Sequence, residues 1–165
     1  MFYSDVETPQ GRVRIVTDEH AVVAVSFHPE KSMKLLRFGL TGKEQPNEIS
    51  RMAARQVEEY FAGQRTRFDL PVDFGHTSDF ASAVLGCLTQ VPYGEIVTYG
   101  TLAALSGSPK AARAVGRIMA SNPIPIIVSC HRVVGSTGKM TGYSGGDGVK
   151  TKEWLLAFEH DNSLS

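Results

Sequence analysis

The hydrophobic pattern of the chain changes near residue 75, and this change constrains the fold more than any other feature. Upstream of it, Val13 and Ile15 alternate with polar residues and residues 21–27 form a second apolar run, which is the pattern of a β-hairpin. Downstream, apolar residues recur mainly at helical spacing. Residues 74–77 have turn composition, so the sequence predicts two lobes with their boundary near residue 75.

The first lobe carries one longer helix among its strands. Asn47 is a candidate N-cap, and apolar residues follow it at helical spacing until Gly63 supplies a stop. Residues 68–72 form another short apolar run, which predicts a strand. Strands combined with one helix predict a mixed α/β lobe over residues 1–75.

Two short helices around a glycine-containing turn are predicted in the second lobe. Thr98 is a candidate N-cap of the first helix, which Gly107 ends. Ser108 and Pro109 form a strong restart signal, with serine as N-cap and proline in the first helical position, so the second helix is predicted over residues 109–120. Such a pair suggests a helix-turn-helix, which binds DNA in many proteins and is a plain packing corner in others.

The predicted second helix combines small residues with basic ones. Small side chains let a helix backbone approach a groove wall closely, and basic side chains reach phosphates or penetrate the base stack. A solvated charged face opposite a packed alanine face explains the same pattern, so both interpretations stay open on this evidence. The small residues are Ala111, Ala112, Ala114 and Gly116, and the basic residues are Lys110, Arg113 and Arg117.

The composition of the 165-residue chain limits the classes of protein to which it can belong. Its 17 Lys and Arg residues balance 17 Asp and Glu residues, so the long-range field favours no nonspecific binding of nucleic acid and any DNA contact must be local. The apolar stretch at residues 124–128 is far shorter than the roughly 20 residues that span a bilayer, and no signal-like segment opens the chain. We expect a cytoplasmic protein without membrane contact, associated with the nucleoid or, in a eukaryote, with the nucleus.

The most reactive candidate is a cysteine at the end of an apolar run. Residues 126–128 predict a buried strand that ends at Ser129, followed by Cys130, His131 and Arg132. A thiol whose pKa is about 8.5 is mostly protonated at neutral pH, so a nucleophilic cysteine needs a base or a positive environment. Neighbouring residues of a strand point to opposite faces, so Cys130 and His131 cooperate only where the chain turns or a water molecule bridges them. Both arrangements stay open.

The chain has one other cysteine, Cys87. Two cysteines in a reducing compartment are predicted to be free thiols. No second cysteine or histidine lies at zinc-ligand spacing from Cys130, and the remaining histidines are scattered along the chain. The sequence predicts no metal site.

A glycine-rich loop over residues 135–148 follows the cysteine. Its backbone could approach a ligand closely, although a mobile surface loop has the same composition. A phosphate-binding P-loop is excluded, because methionine follows Lys139 where serine or threonine is required. Residues 149–160 then predict a helix, near whose end Glu159 could orient an imidazole or be a plain surface carboxylate.

Several short segments stand in a characteristic order along the second half of the chain. They are Pro92-Tyr93-Gly94-Glu95, Thr98-Tyr99, Lys110 to Gly116, Asn122-Pro123, Cys130 to Val134, Tyr143 to Gly146, and Lys152 to Leu156 with Glu159. In this order they resemble the O6-alkylguanine-DNA alkyltransferases, also called methylated-DNA–protein-cysteine methyltransferases. The resemblance implies an α+β fold, with a ribonuclease-H-like α/β lobe at residues 1–75 and a mainly helical winged helix-turn-helix lobe at residues 76–165.

The resemblance also implies a function, direct-reversal DNA repair. An alkyl group such as methyl would pass once from the O6 atom of alkylated guanine to Cys130, with O4-alkylthymine as an open second substrate. His131 would deprotonate Cys130 through a water molecule, and Glu159 would orient His131. Tyr99 would donate a hydrogen bond to the guanine ring and press on the adjacent phosphate, and Asn122 would brace the turn that carries the cysteine. No cofactor is implied.

DNA binding is implied in the same way. The second helix would enter the minor groove of double-stranded DNA, Arg113 would replace the damaged base in the stack, and the nucleotide would rotate into a pocket beside the cysteine. There the Ser144 N–H would face O6, and the Val133 and Cys130 carbonyls would read the exocyclic amine. The DNA contacts are Tyr99, Lys110, Ala112, Arg113, Ala114, Gly116 and Arg117, and the pocket residues are Met119, Val133, Tyr143 and Ser144. A monomer is expected.

The chain departs from the family pattern in two places. Ser129 stands where proline usually precedes the reactive cysteine, which relaxes a constraint on φ, and we expect activity to persist with a changed rate or stability. Two extra residues lie between Gly146 and Lys152. The first lobe contains no cysteine, so the zinc site that some relatives carry there is not expected.

Two other classes of protein compete with this interpretation. A noncatalytic lesion-binding protein, like the alkyltransferase-like proteins, typically replaces the reactive cysteine, which this chain retains. A thiol hydrolase that uses Cys130 and His131 leaves Arg113 and the alanine-rich helix unexplained.

Overall fold

The computed structural model describes residues 1–143 and 145–163 of the chain. The chain divides into two compact units, Met1–Gly75 and His76–Ser165. Strands and helices are both present, and the predicted α+β class is confirmed. No helix in the described ranges is long and apolar enough to cross a membrane.

The first unit is built on a three-stranded antiparallel sheet in the order β1 (Phe2–Thr8), β2 (Gly11–Thr17), β3 (Val22–Phe27). The pairing of β2 with β3 confirms the predicted hairpin. The hydrophobic pattern does not reveal β1, because Ser4 occupies a buried position in it. The Ser4 hydroxyl is satisfied there by a hydrogen bond of 2.8 Å with the Ser50 hydroxyl.

Helix α2 (Glu48–Phe61) packs against all three strands, and a short helix, α1 (Met33–Arg37), precedes it. As predicted, α2 begins at Asn47, whose side chain accepts from the Ser50 N–H while the Ser50 hydroxyl accepts from the Asn47 N–H. The apolar residues on its buried face are Ala53, Val57 and Tyr60.

The strand predicted over residues 68–72 is wrong. Val72 forms an isolated bridge with Val22, and the backbone of Asp69 pairs with a side chain instead of a strand. The Gln56 amide accepts from the Asp69 N–H at 2.8 Å and donates to its carbonyl at 3.0 Å. A side chain thus supplies the hydrogen bonds that a neighbouring strand would supply, which an apolar pattern cannot reveal.

The second unit is mainly helical. Its elements are α3 (Asp79–Leu88), β4 (Val97–Thr98), α4 (Tyr99–Leu105), α5 (Ala112–Ala120), β5 (Val133–Val134) and α6 (Val149–Ser163). Strands β4 and β5 pair in parallel. The predicted cap of α4 is confirmed, because the Thr98 hydroxyl accepts from the Thr101 N–H at 3.0 Å. Helices α4 and α5 form the predicted helix-turn-helix.

Helix α5 begins at Ala112, later than predicted. Ser108 and Pro109 belong to a reverse turn, closed by a hydrogen bond of 2.9 Å from the Ala111 N–H to the Ser108 carbonyl. Serine followed by proline suits the first two positions of such a turn as well as a helix start, so the sequence signal fits both structures. Lys110 therefore lies in the turn and not on the helix.

The strand predicted over residues 126–128 is wrong as well. The segment is a series of turns, in which the Val128 N–H donates to the Ile124 carbonyl at 2.9 Å and Ile126 has a φ of 73°. The Asn122 side chain accepts from the Ile124 N–H and donates to the Val128 carbonyl, both at 3.0 Å. The turns are buried and apolar, which is why they resemble a strand in the sequence.

Candidate active site and DNA-binding helix

Cys130 begins a single 3₁₀ turn, Cys130–Arg132, at the end of these buried turns. The chain therefore bends at the cysteine, which is one of the two arrangements that the sequence left open. Cys130 is 5% exposed and His131 is fully buried. Thiol and imidazole are therefore both shielded from bulk solvent.

Glu159, on α6, is the charged centre of the site. Its buried carboxylate accepts from His131 Nε2 at 2.6 Å, from Arg132 Nε and Nη2 at 2.8 and 3.1 Å, and from the Gly94 N–H at 3.3 Å. Burial alone would raise its pKa, but the hydrogen bonds and charges of His131 and Arg132 outweigh burial and hold the pKa of Glu159 well below its usual range. Glu159 is therefore a carboxylate at neutral pH.

This carboxylate fixes the tautomer of His131. Burial lowers the pKa of His131 against the opposing effect of Glu159, and the charges of Arg132 and Lys152 lower it further. A neutral imidazole beside an ionised carboxylate carries its proton on Nε2 and donates it to the carboxylate. Nδ1 then holds the free lone pair, and this buried atom has no hydrogen-bond partner among the described residues. The arrangement makes Nδ1 of His131 a candidate base.

Arg132 connects the His131–Glu159 pair to a neighbouring loop. Its Nη1 donates to the Val91 carbonyl at 2.9 Å, and its guanidinium lies 5.7 Å from the centre of the Tyr93 ring. The same loop supplies the Gly94 N–H that reaches Glu159. From the sequence, Arg132 is a positive charge near Cys130. In the structure, its guanidinium also anchors Glu159 through two hydrogen bonds.

Cys130 is a thiol at rest. Burial raises its pKa, and a hydrogen bond with the Asn122 side chain and the charge of Lys152 oppose this shift. A buried thiol becomes a strong nucleophile when a base removes its proton. Cys87 is half-buried, and its thiol donates to the Leu105 carbonyl at 3.5 Å, so the two cysteines are free as predicted.

Lys152 is a functional candidate that sequence reasoning missed. It lies on α6 and is 1% exposed, and its Nζ donates to the Val133 carbonyl at 2.6 Å, the Thr141 carbonyl at 2.8 Å and the Tyr99 hydroxyl at 3.4 Å. Lys152 and Glu159 are seven residues apart and share a helix face, but this spacing alone does not tell a buried face from an exposed one.

The other pocket candidates that the structure describes lie near Lys152 or are buried in the second unit. The Tyr99 hydroxyl is 3.2 Å from the Thr141 carbonyl and 3.3 Å from the Thr141 hydroxyl. Tyr143 is buried, burial raises its pKa, and its hydroxyl has no partner within the described residues. The other pocket candidates are Val133 and Met119, which are buried, and Ser144, which lies outside the described residues.

Helix α5 presents its basic residues outward and its larger apolar residues inward. Val115 and Met119 are buried, whereas Ile118 and the small residues Ala112, Ala114 and Gly116 are half-buried. A Cβ added at Gly116 would meet no heavy atom within 4 Å, so internal packing does not require glycine there. The small residues are Ala112, Ala114 and Gly116, and the exposed basic residues are Arg113 and Arg117 on α5 and Lys110 in the preceding turn.

No group of three or more His, Cys, Asp or Glu side chains within residues 1–143 and 145–163 is arranged to hold a metal ion.

A helix-turn-helix unit that also carries a buried thiol, a neighbouring histidine and an ionised glutamate is typical of a DNA-binding protein with a candidate nucleophile of its own. Comparison with known families is more specific. Residues 1–74 match the family model described as 6-O-methylguanine DNA methyltransferase, ribonuclease-like domain, and residues 79–161 match the DNA binding domain of the same family. The chain therefore belongs to the 6-O-methylguanine DNA methyltransferase family.

Individual proteins agree with this assignment. A methylated-DNA–protein-cysteine methyltransferase of Methanosarcina acetivorans is 42% identical over 96% of this chain and 98% of its own length. The crystal structure of Mycobacterium tuberculosis O6-methylguanine methyltransferase is 35% identical, with a TM-score of 0.83 over 98% of this chain and 93% of that one. A structure of the mycobacterial protein in complex with DNA has a TM-score of 0.81 over 98% of this chain and 94% of that one. The predicted family, methyltransferase class and DNA-binding domain are thereby confirmed.

Proposed function

We propose that this protein removes an alkyl group, such as methyl, from the O6 atom of guanine in double-stranded DNA and retains it on Sγ of Cys130. The observation that carries the proposal is the adjacent pair of a buried thiol and a histidine whose Nε2 is held by Glu159 at 2.6 Å. This pairing leaves Nδ1 as the position that accepts the thiol proton. Burial of the pair excludes the bulk water that would compete with the DNA substrate.

The reaction balances without a cofactor. Nδ1 of His131 takes the proton of Cys130 through a bridging water molecule, and the thiolate attacks the methyl carbon. The S–C bond forms, the C–O6 bond breaks, and its electron pair stays on guanine. The proton that His131 holds then passes to the guanine ring, which restores neutral imidazole. The thioether is stable to water, so each molecule acts once.

Helix α5 supports a specific way of reaching the base. It enters the minor groove, where its small residues allow close approach, and Arg113 fills the space that the rotated nucleotide leaves. Gly116 favours a docking role of α5 over a purely structural one, because a side chain at this position would point into open space and internal packing does not require glycine there. Lys110 and Arg117 are exposed and contact phosphates. Few phosphate contacts suffice in this mode, which fits a formal net charge of zero.

The pocket residues divide the remaining tasks. Tyr99 donates to guanine as negative charge develops and presses on the adjacent phosphate, and Met119 and Tyr143 wall the pocket. The Val133 and Cys130 carbonyls read the exocyclic amine. Asn122 braces the turn that presents the cysteine, supported by its two hydrogen bonds of 3.0 Å. The Ser144 N–H facing O6 is proposed from the sequence alone, as are a monomeric state and a cytoplasmic location.

Intact mass after incubation with duplex DNA that contains O6-methylguanine tests this function. The expected result is a gain of one methyl group, localised to Cys130 and absent in Cys130→Ala. Tight binding of the lesion without a gain in mass would favour a noncatalytic lesion-binding protein. Repeated turnover of an ester or peptide would favour a thiol hydrolase.

A further inference from the structure

The ammonium of Lys152 lies in the protein interior, where an unpaired charge is very unfavourable. Its three N–H groups have three acceptors, the Val133 carbonyl, the Thr141 carbonyl and the Tyr99 hydroxyl. None of these acceptors is a carboxylate, so the lysine does more than neutralise a buried acid. It joins β5, the glycine-rich loop and α4 at one nitrogen atom.

Two of the three acceptors are groups that a guanine base can use. The Val133 carbonyl is a fixed acceptor, the Tyr99 hydroxyl is a possible donor, and both lie within 3.4 Å of the same nitrogen. Guanine presents N3, an acceptor, next to its 2-amino group, a donor, on its minor-groove edge. A carbonyl has two lone pairs, so Val133 can accept from Lys152 and from a second donor. The pair therefore supplies the acceptor and the donor that match this edge of guanine.

The Tyr99 proton can turn towards a substrate at little cost. The hydroxyl has one proton, which is in reach of the Thr141 carbonyl at 3.2 Å, and its oxygen accepts from Lys152 and from the Thr141 hydroxyl. When the proton turns away, the Thr141 carbonyl keeps the shorter, charge-assisted hydrogen bond of 2.8 Å from Lys152. No buried acceptor is left without a donor, and the tyrosine remains free to donate.

We propose that Lys152 is a positioning residue that determines specificity, because its ammonium sets the Val133 carbonyl and the Tyr99 hydroxyl as an acceptor–donor pair for the 2-amino and N3 groups of guanine. The inference rests on the proposed function. Lys152 acts through Val133 and Tyr99 and does not contact the substrate. Its charge also favours the Cys130 thiolate, but that effect is the same for every substrate.

Two duplex substrates separate the effect of Lys152 on guanine recognition from its charge effect on the Cys130 thiolate. One duplex contains O6-methylguanine, and the other contains O6-methylhypoxanthine, which lacks the 2-amino group. Second-order rate constants for methyl transfer are measured from intact mass on both duplexes. The wild-type protein should prefer O6-methylguanine by roughly tenfold, the equivalent of one hydrogen bond. In Lys152→Met the ratio should fall towards unity. Lys150→Met, an exposed lysine on the same helix, should keep both the rate and the ratio of the wild-type protein.

An unchanged ratio in Lys152→Met, with both rates reduced by the same factor, would overturn the proposal, since a charge effect on Cys130 alone gives that result. Where methionine prevents folding, the ratio is measured on Lys152→Gln, whose amide keeps two donors without the charge. A ratio below that of the wild type supports the proposal, and a wild-type ratio overturns it. Failure of the wild-type protein to accept methyl from either duplex would contradict the proposed function instead.

Discussion

Ser129 precedes Cys130, the proposed nucleophile, with a φ of −78° and a ψ of 54°. This φ lies in the range that a proline ring imposes, about −65 ± 15°. Ser129→Pro should therefore fit the folded backbone and restrict the unfolded chain, which raises the free energy of unfolding by roughly 0.4–1 kcal/mol. Urea unfolding at neutral pH measures the change. A lower free energy of unfolding would mean that contacts made by the serine outweigh the gain in chain stiffness.

Loss of the Glu159 carboxylate should strongly destabilise the second unit. Glu159→Gln leaves the buried guanidinium of Arg132 without its counter-charge, and breaking a buried pair in this way costs roughly 3–5 kcal/mol. Urea unfolding at pH 7 tests this, with Glu153→Gln, an exposed carboxylate on the same helix, as the matched control. A loss as small as that of the control would contradict the assigned role of Glu159.

The destabilisation caused by Glu159→Gln should depend on pH in a defined way. The pKa of Glu159 is lower in the folded state than the value of about 4.3 in an unfolded chain, so the unfolded state binds more protons between these two values. The stability that the ionised carboxylate supplies is complete above pH about 4.3 and is lost as the pH falls towards the folded pKa. The difference in free energy of unfolding between wild type and Glu159→Gln should therefore be constant near neutrality and shrink in acid.

At the scale of elements, α5 allows stability and DNA binding to be separated. Alanine at Gly116 would meet no neighbouring atom and is a better helix former than glycine, by up to about 1 kcal/mol. Gly116→Ala should therefore raise the free energy of unfolding and slow methyl transfer from duplex DNA, because the added methyl group stands on the proposed docking face. Gly86→Ala in α3, which is equally unhindered, is the control. It should stabilise the protein and leave transfer unchanged, and equal transfer rates in both variants would contradict the proposed docking face.

The sequence predicts elements well where local chemistry determines them. The Asn47 and Thr98 caps fix the starts of α2 and α4, and these starts are confirmed. The apolar runs near residues 70 and 127 fail as strands, because their backbone groups bond to side chains of Gln56 and Asn122. Which distant side chain supplies such bonds is determined by tertiary packing, which hydrophobic periodicity does not contain.

Prediction of the site has a similar limit. A triad-like link from His131 to Glu159 can be expected from residue types and from the family resemblance. The buried position of Lys152 cannot, because a lysine in a helix is ordinarily exposed and its three acceptors come from separate segments. The anchoring of Glu159 by Arg132 was missed for the same reason, since it depends on how the 3₁₀ turn packs beside α6.

For the whole molecule, the balance of 17 positive and 17 negative side chains makes the salt dependence of DNA binding a sensitive test. If Arg113 enters the base stack, Lys110 and Arg117 are the basic residues of the docking face that remain for phosphates. Two phosphate contacts give a slope of log K against log salt of about −2. Fluorescence anisotropy with a Cys130→Ser protein, which binds without reacting, measures this slope. Lys110→Ala should bring it closer to zero by about one, whereas Lys150→Ala should not change it. A wild-type slope steeper than about −4 would mean that a wider basic surface binds DNA, against the local docking that a neutral chain requires.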